Sequence, residues 1–316
     1  MLLSSFLSNV SVISIAYGRN YTHTHRPQWI LNYIDREGLR EDDIVVVFDG
    51  GDTLFTGAQR VQQALTHFMA TTAPTAEAFD AAAVHRGEAS APILFSSESF
   101  CYAPQLELVI RKGPKPHYRK CLWFYTRMWK AAAITQNRRL SQQKKKEYRF
   151  LTSGGYVGRV WALRAATLAY TRLLETRSDW WCDQSIWTLL YIWSVSQVPG
   201  VPTEQRIPFG FIDLDYNKIF FISPSKGAFT NSAIFHFPGP MDGWQPFLPK
   251  IINHTLWIKE IYYSPQSLRS VRCRVLSEAF VKVQDAYGYT HAYRYGNLCP
   301  AKDALKLSWL ASAFPK

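Results

Sequence analysis

The chain has 316 residues, of which 47% are hydrophobic and 15% aromatic, and this composition excludes a disordered or low-complexity protein. The length allows one large α/β domain or two smaller ones, and we favour one domain with a C-terminal extension. No run of about 18 apolar residues occurs, so we expect no transmembrane helix in this chain.

The formal net charge of +12 comes from one segment. Residues 111–149 contain thirteen Lys and Arg against a single acid, Glu147, and so carry the whole excess. Blocks of like charge are usually solvated and extended. The alternative is a docking surface for an anionic acceptor, a membrane face or nucleic acid.

The predicted elements alternate between strands and helices, which favours a sheet covered by helices. In the N-terminal half we predict a strand near 10–17, a helix over 27–38, a buried central strand over 42–49, a helix over 57–69, a strand over 91–99 and an amphipathic helix within 118–136. Further on we predict a glycine turn at 153–155 followed by a strand and a helix, a helix from 182, strands over 206–212, 218–223 and 232–236, and helical structure from 247 onward.

The segment VFDGGDTLF places Asp49 and Asp52 three residues apart at the end of the predicted strand. Two carboxylates ~4 Å apart repel by about 4 kcal/mol at an effective dielectric near 20, so the pair favours a cation between them. A hard divalent ion bound there and to substrate phosphates would neutralise a diphosphate leaving group. The alternative is an Asp-Gly turn after a strand.

Three further motifs carry candidate site residues. His236 ends a predicted strand before Pro238 and Gly239, where it can complete a metal site or cap backbone groups. The backbone N–H groups of Ser153, Gly154 and Gly155 can face a sugar or phosphate, or form only a tight turn. Asp183 and Gln184 follow two tryptophans at a helix start, where an Asp either caps the helix or orients an acceptor hydroxyl as base.

Together these motifs resemble the glycosyltransferase domain of the procollagen lysyl hydroxylases and, more distantly, the collagen galactosyltransferases. The resemblance runs through VVVFDGGDTLFTG, PILFSSESFCYAP, FLTSGGYVG, CDQSIW, IDLDYNKIFFI and IFHFPGP, and covers roughly residues 8–242. It implies a GT-A-like nucleotide-sugar-binding α/β fold with a mixed central sheet. It also implies domains at 1–246, with a basic insertion at 111–149, and 247–316, a helical extension.

The resemblance assigns a role to each candidate residue. It implies that Asp49, Asp52 and His236 hold Mn2+, and that Asp183 and Gln184 serve the acceptor. Contacts with the UDP-sugar donor are expected from Arg26, Ser153, Gly154, Gly155 and Gly239. Arg26 falls near a lysine of the family that meets donor phosphate.

The sequence departs from the family at two points. Cys182 stands where the family has the first of two acids, and the chain is expected to begin at the family's second strand, without the first.

The function implied is transfer of a hexose, glucose or galactose, from a UDP-sugar to a hydroxyl of a protein or glycan acceptor. The alternatives are a catalytically impaired member that acts as a binding protein, and a nucleic-acid-associated glucosyltransferase. Three N-x-S/T sequons, at Asn9, Asn20 and Asn253, and the resemblance suggest the secretory pathway. Five widely spaced cysteines form no CxxC pair, so we predict neither a zinc site nor a redox motif.

Overall fold

The computed structural model describes residues 2–16, 21–109, 115, 117–134, 148–196, 206–224, 231–239, 248–257, 278–285 and 287–298. These residues form a mixed α/β protein. The chain divides into two compact units: the first contains 1–20, 49–64 and 219–316, and the second contains 21–48 and 65–218.

The strands are β1 Ile13–Ser14, β2 Ile44–Phe48, β3 Thr53–Phe55, β4 Ile93–Glu98, β5 Phe150–Arg159, β6 Ile212–Leu214, β7 Phe221–Ile222, β8 Ile234–His236, β9 Phe280–Gln284 and β10 Thr290–Arg294. The helices are α1 Leu2–Leu7, α2 Arg26–Arg36, α3 Ala58–Thr71, α4 Ala81–Arg86, α5 Leu106–Val109, α6 His117–Ile134, α7 Val160–Glu175, α8 Asp183–Ser196, α9 Leu248–Asn253 and α10 Tyr295–Leu298. The predicted helices near 27–38, 57–69, 118–136 and 182 and the strand over 91–99 are confirmed.

The second unit is built on a four-stranded mixed sheet. Its strand order is β2-β5-β4-β6, with β5 antiparallel to both neighbours and β4 parallel to β6. Helices α7 and α8 pack on this sheet. The rings of Phe95, Tyr156 and Trp187 stand 4.8–6.0 Å apart at its centre, so aromatic burial supplies much of this core.

The first unit contains two small sheets. One has the order β3-β8-β7 and the other β1-β9-β10. Around the first, the indole N–H of Trp257 donates to the carbonyl of Phe55 (2.8 Å), and the Phe55 N–H donates to Ser4 Oγ (3.0 Å). The short strands are therefore held by side chains from α1 and from the segment after α9 as well as by their own ladder.

Strand β2 is not the central buried strand that the sequence suggests. It lies at the edge of its sheet in the described chain, beside β5 alone, and all five of its residues are half-buried. An unbroken apolar run such as IVVVF fits both a central strand and a half-buried edge strand, so the pattern could not distinguish them.

The glycine turn predicted at Ser153, Gly154 and Gly155 is wrong, because all three residues lie inside the ten-residue strand β5. Thr152 pairs with Ser96 and Tyr156 with the adjacent Phe95, so the three residues between form a β-bulge opposite β4. Glycines inside a strand often mark such a bulge.

Within the predicted helical extension, the described residues 278–298 contain strands β9 and β10, so the helix predicted through FVKVQ is wrong there. Val281 and Val283 are buried while Phe280 and Lys282 are exposed, which is the alternation of a strand. Strand β6 starts at Ile212, where the predicted strand ended, and α1 was not predicted. The domain boundary at 246/247, the GT-A topology and the lacking first strand stay predictions.

Candidate metal centre and buried polar cluster

Asp49, Asp52 and His236 come together in the first unit, and their ligand atoms all lie within 4.8 Å of one another. The β-sheet joins these distant parts of the sequence. Thr53, next to Asp52, is the antiparallel partner of His236, and the Phe237 N–H donates to the Asp52 carbonyl (2.8 Å). The strand ends therefore fix the two carboxylates and the imidazole as one group.

The triad contains polar atoms without a hydrogen-bond partner. His236 is 2% exposed, and its Nε2 lies 3.5 Å from Asp52 Oδ2. His236 Nδ1 and Asp52 Oδ1 are buried and accept or donate no hydrogen bond within the described chain. A buried polar atom left unpaired costs about 1–3 kcal/mol, and a cation would remove that cost at the carboxylate.

The donor set fits a divalent ion. Two carboxylates and an imidazole are ligands for Mn2+ and related first-row metals, and three protein ligands leave room for substrate oxygens. The structure thus contains an Asp-Asp-His group that could hold a metal, as the sequence predicted.

Gly51 leaves open space in the loop between the two aspartates. Its φ is not in the left-handed region, and a Cβ built on it would meet no heavy atom within 4 Å. Backbone conformation and packing among these atoms therefore do not require glycine at this position. Gly239, with φ +105°, also has nothing within 4 Å of an added Cβ, and its donor contact stays a prediction.

A second group of predicted residues forms a buried hydrogen-bonded cluster in the second unit. Arg26 Nη2 lies 2.6 Å from Asp183 Oδ2 and also donates to the Ser153 carbonyl (2.7 Å). Ser153 Oγ donates to Asp183 Oδ1 (3.2 Å). Both oxygens of Asp183 are therefore engaged, one by Arg26 and one by Ser153.

Gln184 links this cluster to two other parts of the unit. Its Oε1 accepts from the Ser153 N–H (3.1 Å), and its Nε2 donates to Glu98 Oε1 and to the Tyr102 carbonyl (both 2.8 Å). Both amide protons of Gln184 are used, and its side chain therefore links the start of α8 to Glu98 in β4 and Ser153 in β5. The Ser153 N–H, predicted to face a donor, is engaged by Gln184 instead.

Glu98 belongs to the cluster, and sequence analysis missed it. It ends β4 and is 8% exposed, and burial raises the pKa of its carboxyl to about 8 although the hydrogen bond from Gln184 acts in the other direction. The available signal was an acid near the end of the predicted strand 91–99, as Asp49 stands at the end of the predicted strand 42–49.

The loop before α8 is held by Gln105. Its Oε1 accepts from the N–H groups of Trp181 (2.8 Å) and Cys182 (2.7 Å), while its Nε2 donates to the Asp179 carbonyl (2.7 Å). Cys182 is buried, and burial raises the pKa of its thiol. The position where the resemblance expects an acid is therefore occupied by a neutral, enclosed side chain.

A disulfide joins Cys101 to Cys121, and it was not predicted. It ties the segment after β4 to helix α6, close in sequence to Tyr102 and Gln105. The spacing of 20 residues carries no recognised motif, so only the fold reveals the pair. Cys273 and Cys299 lie outside the described residues.

The basic segment 111–149 is only partly described. Within it Lys120 is buried, the Arg127 guanidinium lies 4.9 Å from the centroid of the Trp123 ring, and that of Arg149 lies 5.2 Å from the Trp129 centroid. The two guanidinium groups pack against the unit's own aromatic rings. Seven others, Arg111, Lys112, Arg138, Arg139, Lys144, Lys145 and Lys146, lie outside the described residues, and docking to an anionic acceptor or nucleic acid stays a prediction.

None of the described helices combines the length and the apolar character needed to cross a membrane. When the chain was compared with protein-family models and with curated proteins, none matched it.

Proposed function

We propose that this protein is a metal-dependent glycosyltransferase that moves a hexose from a UDP-sugar to an acceptor hydroxyl. The observation that carries the proposal is the triad of Asp49, Asp52 and His236, whose ligand atoms lie within 4.8 Å of one another. Asp52 Oδ1 and His236 Nδ1 are buried without a hydrogen-bond partner among the described residues, which supports a site that is completed by a ligand.

Asp49 and Asp52 would hold a divalent ion such as Mn2+ together with the imidazole of His236. The ion would supply positive charge to the diphosphate as it leaves. The carboxylates orient their oxygens from the two ends of one short loop, and the open space at Gly51 lets bulky phosphates approach them. The choice of a UDP-sugar rests on the resemblance through VVVFDGGDTLFTG and IFHFPGP.

The buried cluster has a positioning role in this proposal. Because Asp183 is held by Arg26 and Ser153, the ion pair fixes the start of α8 against the bulge in β5. Arg26 would then support the donor-binding residues through the Ser153 backbone rather than by a direct phosphate contact.

The Cys101–Cys121 disulfide supports folding in an oxidising compartment. A location in the secretory pathway, with hexose transfer to a protein or glycan acceptor, is consistent with it.

The test is hydrolysis and transfer with UDP-glucose and UDP-galactose by the purified chain, with and without Mn2+. We expect Mn2+-dependent release of UDP that falls by about 10²-fold or more in Asp49→Asn and Asp52→Asn, since each removes a charge from the metal ligands. Asp285→Asn is the matched control, because Asp285 also pairs with a histidine, His291 at 2.9 Å, but has no third ligand within the described chain. UDP release that needs no metal and survives both substitutions would refute the proposal.

A second candidate is a binding protein that keeps the nucleotide-sugar site without turnover. The observation that favours it is Cys182, a buried thiol at the position of an expected acid. Calorimetric titration with UDP and Mn2+ distinguishes the two functions. Binding that depends on Asp49, without release of hexose on any acceptor tried, supports the second candidate.

A further inference from the structure

Strand β10 is an exposed edge strand in the first unit. Among the residues that the structure describes it pairs with β9 alone, and all five of its residues, Thr290–Arg294, are exposed. Natural edge strands are commonly protected by proline, lysine, bulges or inward-pointing charges. Strand β10 contains no proline, lysine or acid, and its one charged side chain, Arg294, stands at its end.

The hydrogen bonds of the hairpin show which backbone groups face outward. The Asp285 N–H donates to the Tyr289 carbonyl (3.0 Å) and the Tyr295 N–H to the Ala279 carbonyl (2.8 Å). Because hydrogen-bonded pairs recur at every second residue of an antiparallel ladder, His291 and Tyr293 also bond to β9. Thr290, Ala292 and Arg294 therefore direct their N–H and C=O groups to the edge away from β9, where no other described strand pairs with them.

We propose that two copies of this chain associate by antiparallel pairing of their β10 strands about a two-fold axis at Ala292. In this register Ala292 lies opposite its own copy, and Thr290 lies opposite Arg294. Each of these pairs exchanges both of its N–H···O bonds, because the outward groups of the two strands meet. The contact is closed and isologous, so it ends at a dimer.

The side chains agree with this register. Arg294 faces a threonine and not a second arginine, so no like charges stand opposite one another. His291 of one copy faces Tyr293 of the other in a non-hydrogen-bonded pair, where side chains approach closely. Within one copy the two rings are already 6.0 Å apart, so pairing assembles four rings on one face of the joined sheet. The side chain of Ala292 is a single methyl group, so no large side chain lies at the two-fold axis.

Analytical ultracentrifugation of the full chain over a dilution series tests the proposal. We expect a monomer–dimer equilibrium for the native chain. Ala292→Lys and Ala292→Glu each place like charges across the axis and should give monomers, while an equimolar mixture of the two variants should recover the dimer through opposite charges. Ala292→Val is the matched control, because it adds bulk suited to a strand without charge and should keep the dimer.

Hydrogen exchange provides a second measurement on the same proteins. The amide protons of Thr290, Ala292 and Arg294 should exchange more slowly in the dimer than in the Ala292→Lys monomer, while those of His291 and Tyr293 stay protected in both. A native chain that remains monomeric, or a dimer that both charged variants leave intact, would overturn the proposal. If β10 instead pairs with an extended segment of a different protein, the native protein will be monomeric. The amides of Thr290, Ala292 and Arg294 will then exchange slowly only after that other protein is added, and this result also overturns the proposal.

Discussion

Arg26 and Asp183 form a buried ion pair, with Nη2 2.6 Å from Oδ2 and side chains 10% and 5% exposed. The pair joins the first residue of α2 to the first residue of α8. Further hydrogen bonds to the Ser153 carbonyl and from Ser153 Oγ compensate part of the desolvation of both charges, which a buried pair requires. The relationship explains why an arginine occupies this position in a predominantly apolar interior.

Removal of one partner of this pair should be strongly destabilising. We expect Arg26→Ala to lower the free energy of unfolding by about 3–5 kcal/mol, since it leaves the Asp183 carboxylate buried without its cation. Urea denaturation followed by tryptophan fluorescence measures the loss. Arg86→Ala is the control, because Arg86 pairs with Glu88 on the surface and should cost less than about 1 kcal/mol. The double variant Arg26→Ala with Asp183→Ala should lose less unfolding free energy than the two single losses added together. A loss equal to or larger than that sum would contradict the coupling between the two residues.

The raised pKa of Glu98 predicts how stability depends on pH. Between its ordinary value of 4.5 and about 8, the folded chain holds a proton that the unfolded chain has released. The free energy of unfolding contributed by this group should therefore fall as pH rises through that window and become constant above it. Glu98→Gln keeps an acceptor for Gln184 but does not titrate, so the difference between native and variant isolates the effect. Equal slopes for the two proteins would show that Glu98 titrates normally.

Local sequence patterns predict those helices and strands in which contacts with the rest of the chain do not alter the periodicity of the apolar residues. Helices α2 and α3 follow the apolar spacing of an amphipathic helix, α8 is apolar and buried along nearly all of its length, and β4 opens with the apolar run ILF. Asp49 and Asp52 could be predicted as a pair for a similar reason, because they lie only three positions apart in the sequence. His236 required the resemblance, since only the pairing of β3 with β8 brings it near.

The elements that sequence analysis missed depend on partners elsewhere in the chain. The bulge at Ser153–Gly155 exists because β4 advances by one residue where β5 advances by four, and no property of SGG alone specifies that offset. Strands β9 and β10 lie where the sequence predicts a helix, because VLSEAFVKVQ has apolar residues compatible with both periods. Glu98 is buried beside Gln184, which donates both to its carboxylate and to the Tyr102 carbonyl and comes from a distant part of the chain.

The Cys101–Cys121 disulfide should contribute measurably to stability. Closure of a loop between two cysteines 20 positions apart corresponds to about 3 kcal/mol in the chain-entropy treatment. We expect the double variant Cys101→Ser with Cys121→Ser to lose about this amount in guanidinium denaturation. Dithiothreitol should lower the midpoint of the native chain and leave that of the double variant unchanged. A native midpoint that does not respond to reductant would contradict a structural role for the bond.

Two glycines of the first unit, Gly51 and Gly57, should respond differently to the same substitution. Gly57 has φ +147°, and an added Cβ would stand 2.8 Å from Leu256 Cβ, so Gly57→Ala should cost about 1–3 kcal/mol of unfolding free energy. Gly51→Ala meets no atom within 4 Å and has no left-handed φ, and its unfolding free energy should stay within about 0.5 kcal/mol of the native value.

The Gly51→Ala protein then separates folding from ligand approach. Because an added methyl group would stand on the loop between Asp49 and Asp52 and narrow the approach that we propose for the nucleotide, we expect weaker binding of UDP in the presence of Mn2+ while the chain stays as stable as before. Calorimetric titration of the native and Gly51→Ala chains measures the difference. Unchanged affinity for UDP in a fully folded Gly51→Ala chain would show that the nucleotide does not approach the carboxylates from this side, and would leave the open space at Gly51 without a function.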